Sequence, residues 1–226
     1  MFFQQLQQAF RHRFTEDQQS LVEKLSDFLF HQPETKVFII DGYAGTGKTG
    51  LMSALVKVLP FYSIKTILLA PTGRAAKVLS RNSQKTASTI HKHIYYSSID
   101  ANGNISLKLK NNKNASTLYI VDEASMIGAR EQGFEAHNLL DDLLRHCLSG
   151  YGNKIIFMGD TAQLPPIGSA TSPALNQEYI ETEFVLNAQY QRLTQVVRQA
   201  LQSGILRNAS NIRWAIANGR IRLPIL

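Results

Sequence analysis

The sequence predicts an α/β domain: a mostly parallel sheet flanked by helices, with a small β-hairpin inserted between Ile94 and Lys110. Three observations lead there. Short apolar runs at residues 37–40, 66–70, 118–123 and 154–158 alternate with helical patterns, as strands buried on both faces of a parallel sheet do. The first run enters a glycine-rich loop that opens a helix. Alternating segments also flank Asn102-Gly103, the strongest short-range hairpin signal.

Residues 1–14, rich in Gln and Phe, are expected to form a short helix or a loose arm. Thr15-Glu16-Asp17-Gln18 has the form of a capping box, with Thr15 as N-cap and Gln18 reaching back. Leu21, Val22, Leu25, Phe28 and Leu29 follow at helical spacing, and Pro33 lies beyond the helix end. Spacing alone leaves Gln18 open between capping and reading an adenine edge.

Gly42-Tyr43-Ala44-Gly45-Thr46-Gly47-Lys48-Thr49 fits G-x-x-x-x-G-K-[ST] at every defined position. Glycines let consecutive N–H groups approach phosphate oxygens, and the positive end of the following helix faces the anion. Lys48 can reach the β- and γ-phosphates, and the Thr49 hydroxyl can hold Mg²⁺. ATP and Mg²⁺ are therefore the expected cofactors.

The next run delivers Pro71-Thr72-Gly73-Arg74 at a strand's carboxyl end, where open α/β sheets bind ligands. Thr72 and the N–H groups opening the next helix could hold a phosphate, with Arg74 and Lys77 adding charge. His91 reads as a phosphate donor or a capping residue. Tyr95 and Tyr96 could touch nucleic acid, though packing at the hairpin's base explains them as well.

Asp122 and Glu123 end the third run. After a phosphate loop, Asp122 is placed to hold the Mg²⁺ shell and Glu123 to orient and deprotonate an attacking water. The fourth run opens onto Gly159-Asp160-Thr161-Ala162-Gln163-Leu164-Pro165-Pro166, where Gln163 is a neutral side chain able to touch the γ-phosphate and a second ligand. Arg198, or alternatively Arg192, could bring a cation to the transferring phosphoryl. Trp214 is expected to pack.

The net charge of +7 is unevenly spread. No acidic residue stands between Asp41 and Asp100, and none follows Glu183. A polyanion beyond the nucleotide is the natural partner of such a surface. No apolar run is long enough to span a membrane, no secretion signal opens the chain, and Cys147 has no partner cysteine. A soluble, cytoplasmic protein is expected.

Together these stretches resemble the superfamily 1 DNA helicases of the RecD/Dda type, which move 5′ to 3′. The resemblance is carried by residues 15–18, 42–49, 71–80, 89–91, 121–126, 159–168 and 196–199, in order, from about residue 14 to about 218. It implies a RecA-like ATPase domain acting on single-stranded DNA and duplex junctions. By resemblance, Gln18 contacts adenine, Lys48 and Thr49 serve phosphate and Mg²⁺, and Asp122 and Glu123 are metal-shell acid and general base. Gln163 links the γ-phosphate to the DNA groove, and Arg198 completes the ATP site. Thr72 and His91 lie near the single strand, and the Asn102-Gly103 hairpin stands where the family has its strand-separating pin.

The expected division is a RecA-like domain over 1–190, with the pin-like hairpin at about 94–114, and the start of a second such domain over 191–226. Later family motifs are absent before Leu226, which suggests a further helicase domain beyond it, or else a degenerate single-domain relative, and weak hydrolysis by this piece alone. Two rivals remain. A loader or protein-directed ATPase would ignore single-stranded DNA, and a non-catalytic nucleic-acid-binding module would have lost the Lys48, Asp122 and Glu123 set.

Overall fold

The computed structural model describes residues 1–10, 12–99, 105–128, 138–163, 165–166, 171–197, 208, 211–212 and 214–215. Its centre is a six-stranded parallel sheet in the order β3-β2-β6-β7-β1-β8. The strands are β1 (Val37–Gly42), β2 (Lys65–Ala70), β3 (Ala87–Thr89), β6 (Thr117–Val121), β7 (Lys154–Gly159) and β8 (Ala188–Leu193). Strands β4 (Tyr95–Ile99) and β5 (Ile105–Leu109) form a separate antiparallel pair. The expected α/β architecture and inserted hairpin are both present. The Asn102-Gly103 turn lies outside the described residues.

Alternate residues of each central strand feed two cores. Phe38, Ile40, Leu118, Ile120, Ile156 and Met158 face α1 (Phe2–Phe10), α2 (Glu16–Phe30) and α3 (Lys48–Val58). Val37, Ile39, Tyr119, Val121, Ile155 and Phe157 face α6 (Leu139–Leu148) and α7 (Gln177–Phe184). Both faces being covered is why these strands read as continuous apolar runs. Cys147 is a buried member of the second core. Among the described residues no helix is long and apolar enough to cross a membrane.

The sheet's edges were not legible in advance. β3 is Ala-Ser-Thr and β8 is Ala-Gln-Tyr-Gln-Arg-Leu, short and polar as edge strands tend to be. β8 runs past residue 190, so the sheet extends to Leu193, inside the stretch expected to open a second domain. Two helices too short to show a clear apolar period are also present, α5 (Ile90–Ile94) and α7. Residues 2–10 form a helix rather than a loose arm, with Phe2 and Leu6 buried. Trp214, expected to pack, is 42% exposed.

The hairpin is anchored at its base. Lys110 N–H donates to Ile94 O at 2.7 Å, and the Tyr95 hydroxyl donates to Asp142 at 2.6 Å. Tyr95 is thus a packing residue, whereas Tyr96 is 64% exposed with the Lys110 ammonium 5.1 Å from its ring centre.

Candidate nucleotide site and its surroundings

The phosphate loop joins β1 to α3, and its backbone needs glycine. Gly45 and Gly47 both have φ of 84°, in the left-handed region. A Cβ on Gly47 would also stand 2.6 Å from Gln18 Nε2. Gly47→Ala should therefore combine left-handed strain of about 1–2 kcal/mol with a clash. We expect Tm to fall by about 2–8 °C in a thermal melt, with nucleotide affinity lost.

Gln18 closes the loop from behind. The capping box is formed: Gln18 Oε1 accepts from Thr15 N–H at 3.1 Å, and Thr15 Oγ1 accepts from Gln18 N–H at 3.3 Å. The Gln18 amide also donates to Thr46 O at 2.9 Å, and the residue is 1% exposed. Capping and loop support are one contact set, a combination that local spacing did not suggest.

Lys48, Thr49, Asp122, Glu123, Asp160 and Gln163 line one cavity of about 320 Å³, together with Tyr43, Ala44, Gly45 and Gly47. Each sits at the carboxyl end of a strand or just beyond it, so sheet topology brings them together. The Lys48 ammonium donates to Gly42 O and, at 3.1 Å, to Tyr43 O. Burial pulls its pKa below the usual lysine range, against the attraction of Asp160, Asp122, Asp41 and Glu123.

The two acids are pushed the other way. Burial raises the Asp122 carboxyl, partly offset by the hydrogen bond from Glu123 N–H at 3.0 Å and by Lys48. Burial first, then the neighbouring Asp122 charge, raises Glu123. Glu123 also holds φ at 54°, a left-handed conformation costly for a side chain of this kind. Close packing fixes the place: a Cβ on Gly159 would approach Leu175 Cδ1 to 2.6 Å and Ser125 N to 3.0 Å.

Oxygen donors suit a hard cation. Among the described residues no group of His, Cys, Asp and Glu could enclose a metal unaided. Thr49 and Asp122 line the same cavity, and Mg²⁺ is commonly held by one or two carboxylates together with substrate phosphate.

Gln163 lines this cavity and a second one of about 430 Å³, where Thr161, Tyr190, Asn176 and Ser172 also stand. The Ser125 hydroxyl points at its Oε1 from 3.5 Å, a long contact. Arg192 is engaged elsewhere. It faces the Asp41 carboxylate at 3.5 Å, donates to the Tyr43 hydroxyl at 2.9 Å and lies 5.1 Å from that ring's centre. Arg198 lies outside the described residues. Val197, just before it, donates from its N–H to Gly45 O at 3.0 Å.

A second clamp holds that segment. The Asp17 carboxylate accepts from Thr194 N–H at 2.7 Å, the Thr194 hydroxyl at 2.9 Å and Gln195 N–H at 2.9 Å. Burial alone would raise the Asp17 pKa, but these hydrogen bonds outweigh it and lower it.

The expected DNA-side residues lie along the same sheet edge. Thr72 caps α4 (Gly73–Ser83), its Oγ1 accepting from Ala75 N–H at 3.2 Å. Arg74 and Lys77 are exposed on α4, and nothing stands within 4 Å of a Cβ built on Gly73. His91 is half-buried in α5, its ring 5.7 Å from that of Tyr95.

The chain is also similar to known proteins. A family model described as an AAA domain (AAA_30) matches residues 13–222. The chain is 29% identical over 205 residues to the ATP-dependent RecD2 DNA helicase of Deinococcus radiodurans, covering 89% of this chain and 24% of that protein. It is 34% identical over 167 residues to the ATP-dependent DNA helicase dda of Enterobacteria phage T4, covering 70% of this chain and 34% of that protein. The solved Pif1 helicase from Candida albicans superposes with a TM-score of 0.53 at 19% identity, covering 93% of this chain and 45% of that one, a likeness of fold.

Proposed function

The chain belongs to the AAA_30 family of AAA domains, in the form of the RecA-like domain of superfamily 1 RecD/Dda-type helicases, and we propose that it is the ATP-hydrolysing part of a DNA helicase. It spans only 24% of the RecD2 relative and 34% of the dda relative. Unwinding, single-stranded DNA translocation and any further domain are accordingly part of this reading. The observation that carries it is the convergence of Lys48, Thr49, Asp122, Glu123 and Gln163 on one cavity at the carboxyl edge of the sheet.

In this reading the loop's N–H groups and Lys48 bind the triphosphate, and Thr49 with Asp122 holds Mg²⁺. The ion would neutralise charge developing on the phosphate oxygens. Glu123 orients the attacking water and takes its proton. Among the described residues the Gln18 amide meets Thr46 and Thr15, which leaves one N–H and one oxygen lone pair that an adenine edge would take. Gln163 reports the γ-phosphate to the neighbouring surface, and Arg198 supplies a cation at the transferring phosphoryl.

Thr72, Arg74 and His91 form the single-strand side, with the hairpin as the element that meets a duplex junction. The stretch without acids from Gly42 to Ile99 supports a polyanionic partner there. Arg74→Ala with Lys77→Ala should weaken binding of a fluorescent oligo(dT), most strongly at low salt. The slope of log affinity against log salt should also flatten by about 0.7 for each phosphate contact removed. An unchanged affinity and slope in an anisotropy titration would move the DNA path off α4.

A further inference from the structure

Asp41 is a buried carboxylate that the proposed chemistry leaves without a task. It ends the side-chain-bearing part of β1, one residue before the phosphate loop, and is 1% exposed. Its oxygens accept from Thr161 N–H at 2.9 Å, the Thr161 hydroxyl at 2.8 Å and the Tyr190 hydroxyl at 2.9 Å. Arg192 Nε stands 3.5 Å away and ties the group onward to Tyr43 of the loop itself.

The strand ladder does not need this side chain. Asp41 is already in register with Gly159 on one side and Arg192 on the other through backbone pairing. What the carboxylate adds is a link from β1 to the loop after β7, and from both to β8. Removing a carboxylate from water costs several kcal/mol, and apolar replacements of buried ionic groups are often neutral or stabilising. Stability alone therefore gives little reason for a charge at this position.

The loop it fastens is the one that bears Gln163. Ala162 N–H donates to Asp160 Oδ1 at 2.9 Å and Gln163 N–H to Asp160 O at 3.0 Å, so residues 160–163 form a tight turn. Asp41 fixes that turn from outside through Thr161. Tyr190 gives the same group a second attachment. Burial, and then the hydrogen bond to Asp41, push its phenol up to about 12, so the hydroxyl stays a donor at neutral pH.

We propose that Asp41 is a positioning residue: it holds the Gln163 turn against the phosphate loop, so that the nucleotide's γ-phosphate and the single-strand surface sense one another. This rests on the ATPase reading above. Coupling of this kind is a free energy between two sites, reciprocal and measurable as a ratio of affinities.

The test is the affinity of the full chain for fluorescent oligo(dT), measured by anisotropy with saturating ATPγS–Mg²⁺ and with saturating ADP–Mg²⁺. In the wild type the two affinities should differ at least about fivefold. In Asp41→Asn, each nucleotide's own affinity should stay within about threefold of wild type, while the ratio falls towards one. Thr161→Val removes the hydroxyl donor without disturbing the buried charge and should shift the ratio the same way. It also decides the matter if Asp41→Asn does not fold.

Gln163→Ala separates the two levels of the claim. If it abolishes the ratio while Asp41→Asn and Thr161→Val keep it, Asp41 has no positioning role and the ATPase reading stands. If Gln163→Ala keeps the wild-type ratio, or the wild type shows none, the relay through Gln163 fails and this proposal fails with it.

Discussion

Lys48→Ala is expected to weaken MgATP binding by about 100-fold, as charge-assisted hydrogen bonds of about 1.5–3 kcal/mol each are lost. Among the described residues lining the nucleotide cavity, Lys48 is the one cation, and Asp122, Glu123 and Asp160 stand with it. Remove the ammonium and Mg²⁺ is left as the one positive charge between those carboxylates and the triphosphate, which adds repulsion to the lost bonds. ADP should suffer less than ATP, because the lost contact falls on the β- and γ-phosphates. A fluorescent-nucleotide titration measures both. A change under about threefold would mean that backbone N–H groups alone supply the affinity.

Glu123→Gln is expected to separate binding from turnover. Loss of a general base lowers the hydrolysis rate by about 10²–10⁴-fold, while the isosteric amide leaves the cavity's shape and the nucleotide affinity intact. The same change should raise Tm. Glu123 is pushed above its ordinary value of 4.5 by burial and by Asp122, so the folded protein holds its ionised form at a cost. That cost is present above the raised folded pKa and vanishes below the unfolded one. The gain from Glu123→Gln should therefore be fullest at neutral pH and shrink as pH falls through this window towards 4.5. Each kcal/mol gained is worth about 2–4 °C in a chain of this size. A variant with wild-type turnover would remove Glu123 from its role.

What sequence made visible followed local chemistry. The phosphate loop, the capping box at Thr15 and the Asp122-Glu123 pair each sit on a buried apolar run or a helix start, and each signal fits in a few residues. Edge strands β3 and β8 were hidden because a strand with one free edge need not be apolar. The Asp41 group was invisible for another reason. Its partners Thr161 and Tyr190 lie 120 and 149 residues away along the chain, and no periodicity links them. Asp17 and Thr194, 177 residues apart, make the same point. Arg192 meets Asp41 and Tyr43, 151 and 149 residues away along the chain, by contacts that no local spacing indicates.

A cavity that serves ATP in a helicase domain should also answer to single-stranded DNA. The most direct measurement is steady-state ATP hydrolysis by this chain, with and without oligo(dT), beside Lys48→Ala. Slow hydrolysis that oligo(dT) accelerates is expected, with both the basal and the stimulated rate lost in the variant. Hydrolysis that Lys48→Ala abolishes but that oligo(dT) leaves unchanged at low salt would contradict it, and would favour an ATPase that loads or remodels another protein.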